Sequence, residues 1–100
     1  LAVKLIMKWD ILVDREREYF EFIVREFIPG IQQLGFDLTD AWATVFGNET
    51  QIMISAVLPD LEKAQELLYS SEWQSLHNKL RDFVTNYSQK IVNARGGFQF

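Results

Sequence analysis

Along the first residues of the chain, Val3, Leu5, Met7 and Trp9 alternate with Lys4, Ile6 and Lys8. That is the period-two pattern of a strand, whose side chains point to opposite faces in turn, and it predicts a first strand over residues 2 to 9. Asp14 then stands as an N-cap before a charged first turn, and Phe20, Ile23, Val24, Phe27, Ile31 and Leu34 recur at helical spacing. A helix over residues 15 to 33 is expected, stopped by Gly35. Pro29 falls inside it and has no N–H to give to the carbonyl of Arg25, so a bend or an early end is expected there. Phe22 and Pro29 lie on the opposite face and form a small outer contact point.

Two further strands are predicted, residues 40 to 46 and 51 to 58. Between them Gly47, Asn48, Glu49 and Thr50 read as a hairpin loop, because Gly and Asn tolerate positive φ. After Pro59, Asp60 caps a short helix through Leu61, Ala64, Leu67 and Leu68, which breaks at Ser70 and Ser71. The stretch Ser71 to Gln74 has the form of a capping box, and a long helix is expected to follow, carrying Trp73, Leu76, Leu80, Phe83, Val84, Tyr87 and Ile91 on one stripe. Gly96 and Gly97 end it, and Phe98 to Phe100 begin a last strand. The order βαββαβ describes an α+β fold: a four-stranded antiparallel sheet with both helices on one face.

The chain has 100 residues, the ordinary size of one domain, so residues 1 to 100 form a single unit with one core. With 48% hydrophobic and 24% charged residues it has the composition of a folded globular chain. A net charge of −4 with scattered basic residues argues against nucleic acid as a partner, since phosphate binding draws on clustered Lys and Arg. The absence of cysteine removes disulfides, thiolate metal sites and thiol catalysis together. Residues 27 to 36, an uncharged run whose length no other exceeds, contain Pro29, Gly30 and two glutamines, so neither a membrane span nor a signal peptide is expected and the cytoplasm is the expected location. The chain opens on Leu1 rather than methionine, which leaves room for residues upstream.

Both faces of the predicted sheet are apolar. The aliphatic set Val3, Leu5, Met7, Ala41, Ala43, Val45, Ile52, Ile54 and Ala56 suits packing against helices. The other face carries Ile6, Trp42, Phe46, Met53 and Val57 among Lys4, Lys8, Thr44 and Ser55, too much apolar surface to leave in water at about 25 cal/mol per Å². A second copy of the chain, related by a two-fold axis, is expected to cover it. The expected partner is therefore a homodimer mate, bound through the sheet face.

Element order, size, the helix break at Tyr69-Ser70-Ser71 and the Ser71-Glu72-Trp73 restart resemble the dimeric α/β-barrel superfamily of ferredoxin-like folds, and within it the NIPSNAP-like proteins. The superfamily also includes antibiotic-biosynthesis and haem-degrading monooxygenases and lactone isomerases. The resemblance implies a homodimer with a pocket in each subunit between sheet and helices, holding a small apolar or aromatic molecule. Trp9, Trp73 and His77 are the expected pocket residues. His77, the one histidine, is the candidate catalytic residue of the alternative reading, a cofactor-independent monooxygenase or lactone isomerase in which it shuttles a proton. The haem-degrading variant needs an Asn on the first strand, where this chain has Lys8, Trp9 and Asp10, and a Trp well separated from the His; no cofactor or metal is expected. Lys4 and Lys8, pointing the same way, either bind an anion or lie on apolar surface paired to a carboxylate.

Overall fold

A computed structural model describes residues 1 to 47 and 49 to 94. Strand β1 spans Val3–Ile11. Helix α1 (Glu16–Phe22), a π-helical turn (Ile23–Phe27) and helix α2 (Ile28–Leu34) follow without a break, then β2 (Asp37–Phe46) and β3 (Glu49–Leu58). Helices α3 (Leu61–Tyr69) and α4 (Ser71–Leu80) lead into β4 (Val84–Asn93). The strands lie in the order β2-β3-β1-β4, every neighbouring pair antiparallel, which is the ferredoxin-like α+β arrangement. The alternation of β1 holds throughout its length: Val3, Leu5, Met7, Trp9 and Ile11 are all buried beneath the helices, opposite Ile54, Ala56 and Leu58 of β3.

The first helix corrects the sequence pattern. Pro29 neither ends nor breaks it; the π turn immediately ahead, in which the Ile28 N–H bonds the Ile23 carbonyl, widens the helix where the proline ring would otherwise crowd the Arg25 carbonyl. A π turn holds one residue more than an α turn, so the buried stripe before it is out of phase with the stripe after it. Phe27 and Ile31 are buried as expected, but Tyr19 and Phe22 take the inward positions expected of Phe20 and Val24, which are 51% and 68% exposed. Phe22 is therefore core and not an outer contact. Asp14 is no cap either: it sits in a turn at φ 71°, and the helix starts from Arg15 without a side-chain cap. Gly35 stops the helix at φ 110°, as a left-handed glycine does.

Asp60 caps α3 by accepting from the Lys63 N–H at 2.7 Å. Helix α4 is capped by Ser70, whose hydroxyl accepts from the Trp73 N–H at 3.2 Å, one residue before the expected Ser71. Ser71 instead bonds Glu72, and the Gln74 amide donates to the Leu68 carbonyl. The largest correction lies beyond Leu80. The helix ends there and a strand, Val84–Asn93, follows where the helix was expected to continue; the strand expected at residues 98 to 100 lies outside the described residues. Pairing with β1 jumps from Lys8–Ser88 to Asp10–Thr85, so β4 bulges opposite Trp9, with Asn86 at φ 56°. The bulge leaves Val84, Tyr87 and Ile91 on the same face as one another. Their spacing continues that of Leu80 and Phe83, so a bulged strand imitated a helical stripe.

The helices cover the centre of the sheet, with α3 packed on β1 and β3. Edge strand β2 runs beyond this cover, so Ala41, Ala43 and Val45, assigned to the helix side, are exposed. Cross-strand register puts Trp42 beside Met53, Lys4 beside Val57 and Ile6 beside Ser55, so Ile6, Trp42, Phe46, Met53 and Val57 share the helix-free face. Trp42 is 62% and Phe46 64% exposed. On that face Lys4 lies 3.8 Å from Asp40, and Lys8 is exposed. The hairpin loop is shorter than expected, Phe46 pairing directly with Glu49. No helix among the described residues is long and apolar enough to cross a membrane.

Candidate functional site

Helix α4 places Trp73 and His77 one turn apart on the side facing β4, its C-cap Arg81 follows one turn later with its N–H on the His77 carbonyl, and Leu80 turns into the core. Two contacts fix how closely α4 sits. Gly30 of α2 approaches it so tightly that a Cβ there would lie 2.7 Å from Leu76 Cδ1. Lys79 pairs with Glu26 of the π turn at 2.6 Å, its ammonium 5.7 Å from the centre of the Phe22 ring. Opposite α4, the bulge in β4 presents Tyr87 against His77, with ring centroids 4.6 Å apart and edge to face. The Asn86 amide that shapes the bulge donates to the Asp10 carboxylate at 2.8 Å.

Four rings run in sequence, buried at both ends and partly exposed in the middle. Trp9 stacks on Tyr87 at 6.0 Å, Tyr87 meets His77, and His77 stacks on Trp73 at 5.5 Å with 25° between planes. Trp73 is buried against Phe27 and Phe36. His77 is partly buried, and its Nδ1 is sealed from solvent with no hydrogen-bond partner among the described residues. A buried polar atom without a partner is uncommon and marks this imidazole as a group whose bonding is incomplete. Desolvation, with the Arg81 guanidinium adding to it, holds His77 below the usual histidine range, so the ring is neutral near pH 7. Burial raises the Tyr87 phenol, whose hydroxyl donates to Gln89 Oε1 at 2.7 Å.

The His77–Tyr87 pair stands between two open clefts. One, of about 490 Å³, runs toward Arg81, Thr85 and Asn86. The other, of about 380 Å³, runs toward Tyr69 and Trp73 and carries three amides, Gln65, Gln74 and Gln89. Of the expected pocket residues, the structure brings Trp73 and His77 together. Trp9 lines neither cleft: it is fully buried against Tyr87, its indole N–H donating to the Tyr19 hydroxyl at 2.9 Å. Trp9 faces the helices, like Leu5 and Met7. Tyr87, Arg81, Asn86 and Gln89 were not anticipated. The signal that reveals them is the β-favouring composition of Val84, Thr85, Tyr87, Ile91 and Val92, read as a strand with one extra residue. No cluster of acidic and imidazole side chains able to hold a metal occurs among the described residues.

No known family profile matches the chain, and no curated protein matches it in sequence. Solved structures do match in shape. A NIPSNAP family protein from Agrobacterium tumefaciens superposes with a TM-score of 0.70 at 18% identity, over 95% of this chain and 87% of its own. A NIPSNAP-like domain protein from Burkholderia xenovorans superposes at 0.73 and 20% identity, over 98% and 89%. A candidate antibiotic biosynthesis monooxygenase from Nitrosomonas europaea gives 0.70 at 11% identity, over 93% and 89%. The resemblance read from the sequence therefore holds as a shared fold, the ferredoxin-like α+β fold of NIPSNAP and antibiotic-biosynthesis-monooxygenase-type proteins.

Proposed function

We propose that the chain is a homodimeric small-molecule-binding domain that holds an aromatic ligand between α4 and β4. The observation that carries this reading is His77, an imidazole whose buried Nδ1 lacks a partner, set between aromatic walls and open clefts. Aromatic walls favour a planar guest through offset or edge-to-face contacts. The amides of Gln65, Gln74 and Gln89 on one lining favour a guest with polar substituents rather than a plain hydrocarbon. Binding is preferred to catalysis because a catalytic histidine needs a second group to fix its tautomer, and no side chain among the described residues bonds Nδ1.

The test is an NMR titration of the protein with 1-naphthol, following the His77 ring resonances and Trp73 fluorescence. Saturable shifts at His77 that vanish in Tyr87→Ala are expected; an unperturbed His77 ring refutes the reading.

The dimer reading rests on the helix-free face. Strands of 9 and 10 residues at about 3.3 Å per residue and about 4.8 Å apart make a face of roughly 30 by 19 Å. With side-chain relief this is of the order of the roughly 800 Å² that each partner buries in a standard interface. Trp42 and Phe46 provide the aromatic anchors such interfaces favour. Sedimentation equilibrium should give a dimer at micromolar concentration and a folded monomer for Trp42→Glu. A wild-type monomer rejects the dimer, and a dimer in Trp42→Glu rejects this face.

A further inference from the structure

The two clefts differ in chemistry, and the difference narrows the ligand class. The chain has 14 acidic against 10 basic residues, yet no Asp or Glu lines either cleft. Among the described residues, Arg81 is the one Lys or Arg side chain on either lining. The ion pairs among the described residues of the helices and the loop before α1 join exposed side chains: Arg15 to Glu18, Lys63 to Glu66 and Lys79 to Glu26. Arg81 takes part in none among the described residues. The Asp10 carboxylate, which accepts from the Asn86 amide, does not line the cleft. Thr85 and Asn86 supply hydroxyl and amide donors beside the guanidinium.

Arg81 follows His77 by one helical turn, about 6 Å along the axis. A one- or two-ring acid spans that step, its ring against the His77–Tyr87 pair and its oxyanion at the guanidinium. A guanidinium matches a carboxylate bidentately, and such charge-assisted bonds are roughly twice as strong as neutral ones. A neutral His77 adds no second cation to the ring end, so the positive charge of the cleft is concentrated at the Arg81 end.

We infer that the ligand is an aromatic acid, with its carboxylate bound by Arg81 and its ring against His77 and Tyr87, a reading that rests on the α4–β4 cleft being the binding site. The test compares 1-naphthoate, its neutral methyl ester and aliphatic octanoate by isothermal titration, on wild type, Arg81→Gln and Arg81→Lys. Arg81 lies past the end of α4 with an exposed side chain, so the variants should keep the wild-type circular dichroism. 1-Naphthoate is expected to bind at least about tenfold more tightly than either comparison compound. Arg81→Gln should bring naphthoate and its ester level, and Arg81→Lys should keep part of the preference. Equal binding of acid and ester, or an undiminished preference in Arg81→Gln, overturns the acid while leaving the aromatic cleft standing. Octanoate binding as tightly as naphthoate overturns the aromatic part. Binding of none of the three, together with a silent His77 ring in the 1-naphthol titration, removes the cleft itself as a binding site.

Discussion

The Trp9–Tyr19 hydrogen bond ties the first strand to the first helix behind the candidate site, and its removal has a calculable cost. Both residues are buried, at 0% and 1% exposure, and the indole N–H donates to the phenol oxygen at 2.9 Å. Tyr19→Phe keeps the ring and deletes the acceptor, so a fully buried N–H is left without a partner, a loss of about 1–3 kcal/mol. In a Trp9→Phe background the donor is gone, and the same Tyr19→Phe step removes a hydroxyl that no longer has that partner; it should then be neutral or stabilising. The cycle is read by urea denaturation at pH 7, with a coupling of about 1–3 kcal/mol expected. For a domain of this size each kcal/mol corresponds to roughly 4–8 °C in Tm. The alkaline limb gives an independent reading. Burial raises the Tyr19 phenol from 10.0 to about 12, the Trp9 bond opposing the shift. The folded chain thus holds a proton that the unfolded chain releases. The stabilisation is complete below pH 10 and is lost as pH rises from 10 through about 12, at most about 2–3 kcal/mol. Wild type should lose stability faster across that window than Tyr19→Phe. Tyr87 titrates at high pH in both proteins and so cancels in the difference. Equal costs for Tyr19→Phe in both backgrounds, or parallel alkaline limbs, refute the reasoning.

Gly30→Ala should destabilise wild type by overpacking against Leu76. In a Leu76→Ala background, where the obstructing methyls are gone, it should instead stabilise by up to about 1 kcal/mol through helix propensity; urea midpoints decide. Asn86→Val places a β-branched residue at φ 56° and deletes the bond to Asp10, so a loss of about 2 kcal/mol or more is expected, against a smaller loss for Asn86→Gly, read in the same way. Because the His77 pKa is lowered in the folded chain, the unfolded chain binds the proton first as pH falls. This contribution to stability is present above about pH 6.5 and is lost as pH drops through the folded value; His77→Gln should flatten the stability profile between pH 7 and 5.

The elements that were legible in the sequence are those with unbroken periods. Strand β1 keeps strict alternation, and α3 begins at an Asp that caps it as the spacing implies. The hairpin was legible because its registers run without interruption from Ala41–Ile54 to Phe46–Glu49. Both large misreadings have one cause, a single inserted residue that shifts phase. In the first helix the π turn moved the buried positions from Phe20 and Val24 to Tyr19 and Phe22. In β4 the bulge at Asn86 put Val84 and Tyr87 three apart on one face, where a regular strand allows only even spacings, and with Ile91 four further on a strand passed for a helix. Half of the candidate site followed that error: Trp73 and His77 lie on a helix whose stripe was correct, whereas Tyr87, Arg81 and Gln89 depended on recognising where α4 ends. Trp9 was misplaced for a different reason. Proximity to a strand end suggested a pocket mouth, but the indole falls on the inward phase of β1 and finds its partner in Tyr19.

The bulge also bears on how binding and assembly relate. Edge strands invite pairing with other chains, and a bulge blunts such an edge. β4 is one edge of the sheet and carries its bulge beside the His77 cleft, whereas the exposed Trp42 and Phe46 lie on β2, at the other edge, and on the helix-free face. His77 and Tyr87 look to the helix side and Trp42 to the opposite side, so the sheet separates the proposed ligand from the proposed partner. Contacts that share no residues usually contribute independently, within about 0.5 kcal/mol or roughly twofold in Kd. Trp42→Glu, measured as a folded monomer, should therefore bind 1-naphthol with wild-type affinity to within that factor. A tenfold weaker monomer would mean that the partner subunit completes the cleft, and the separation drawn from the topology would be wrong.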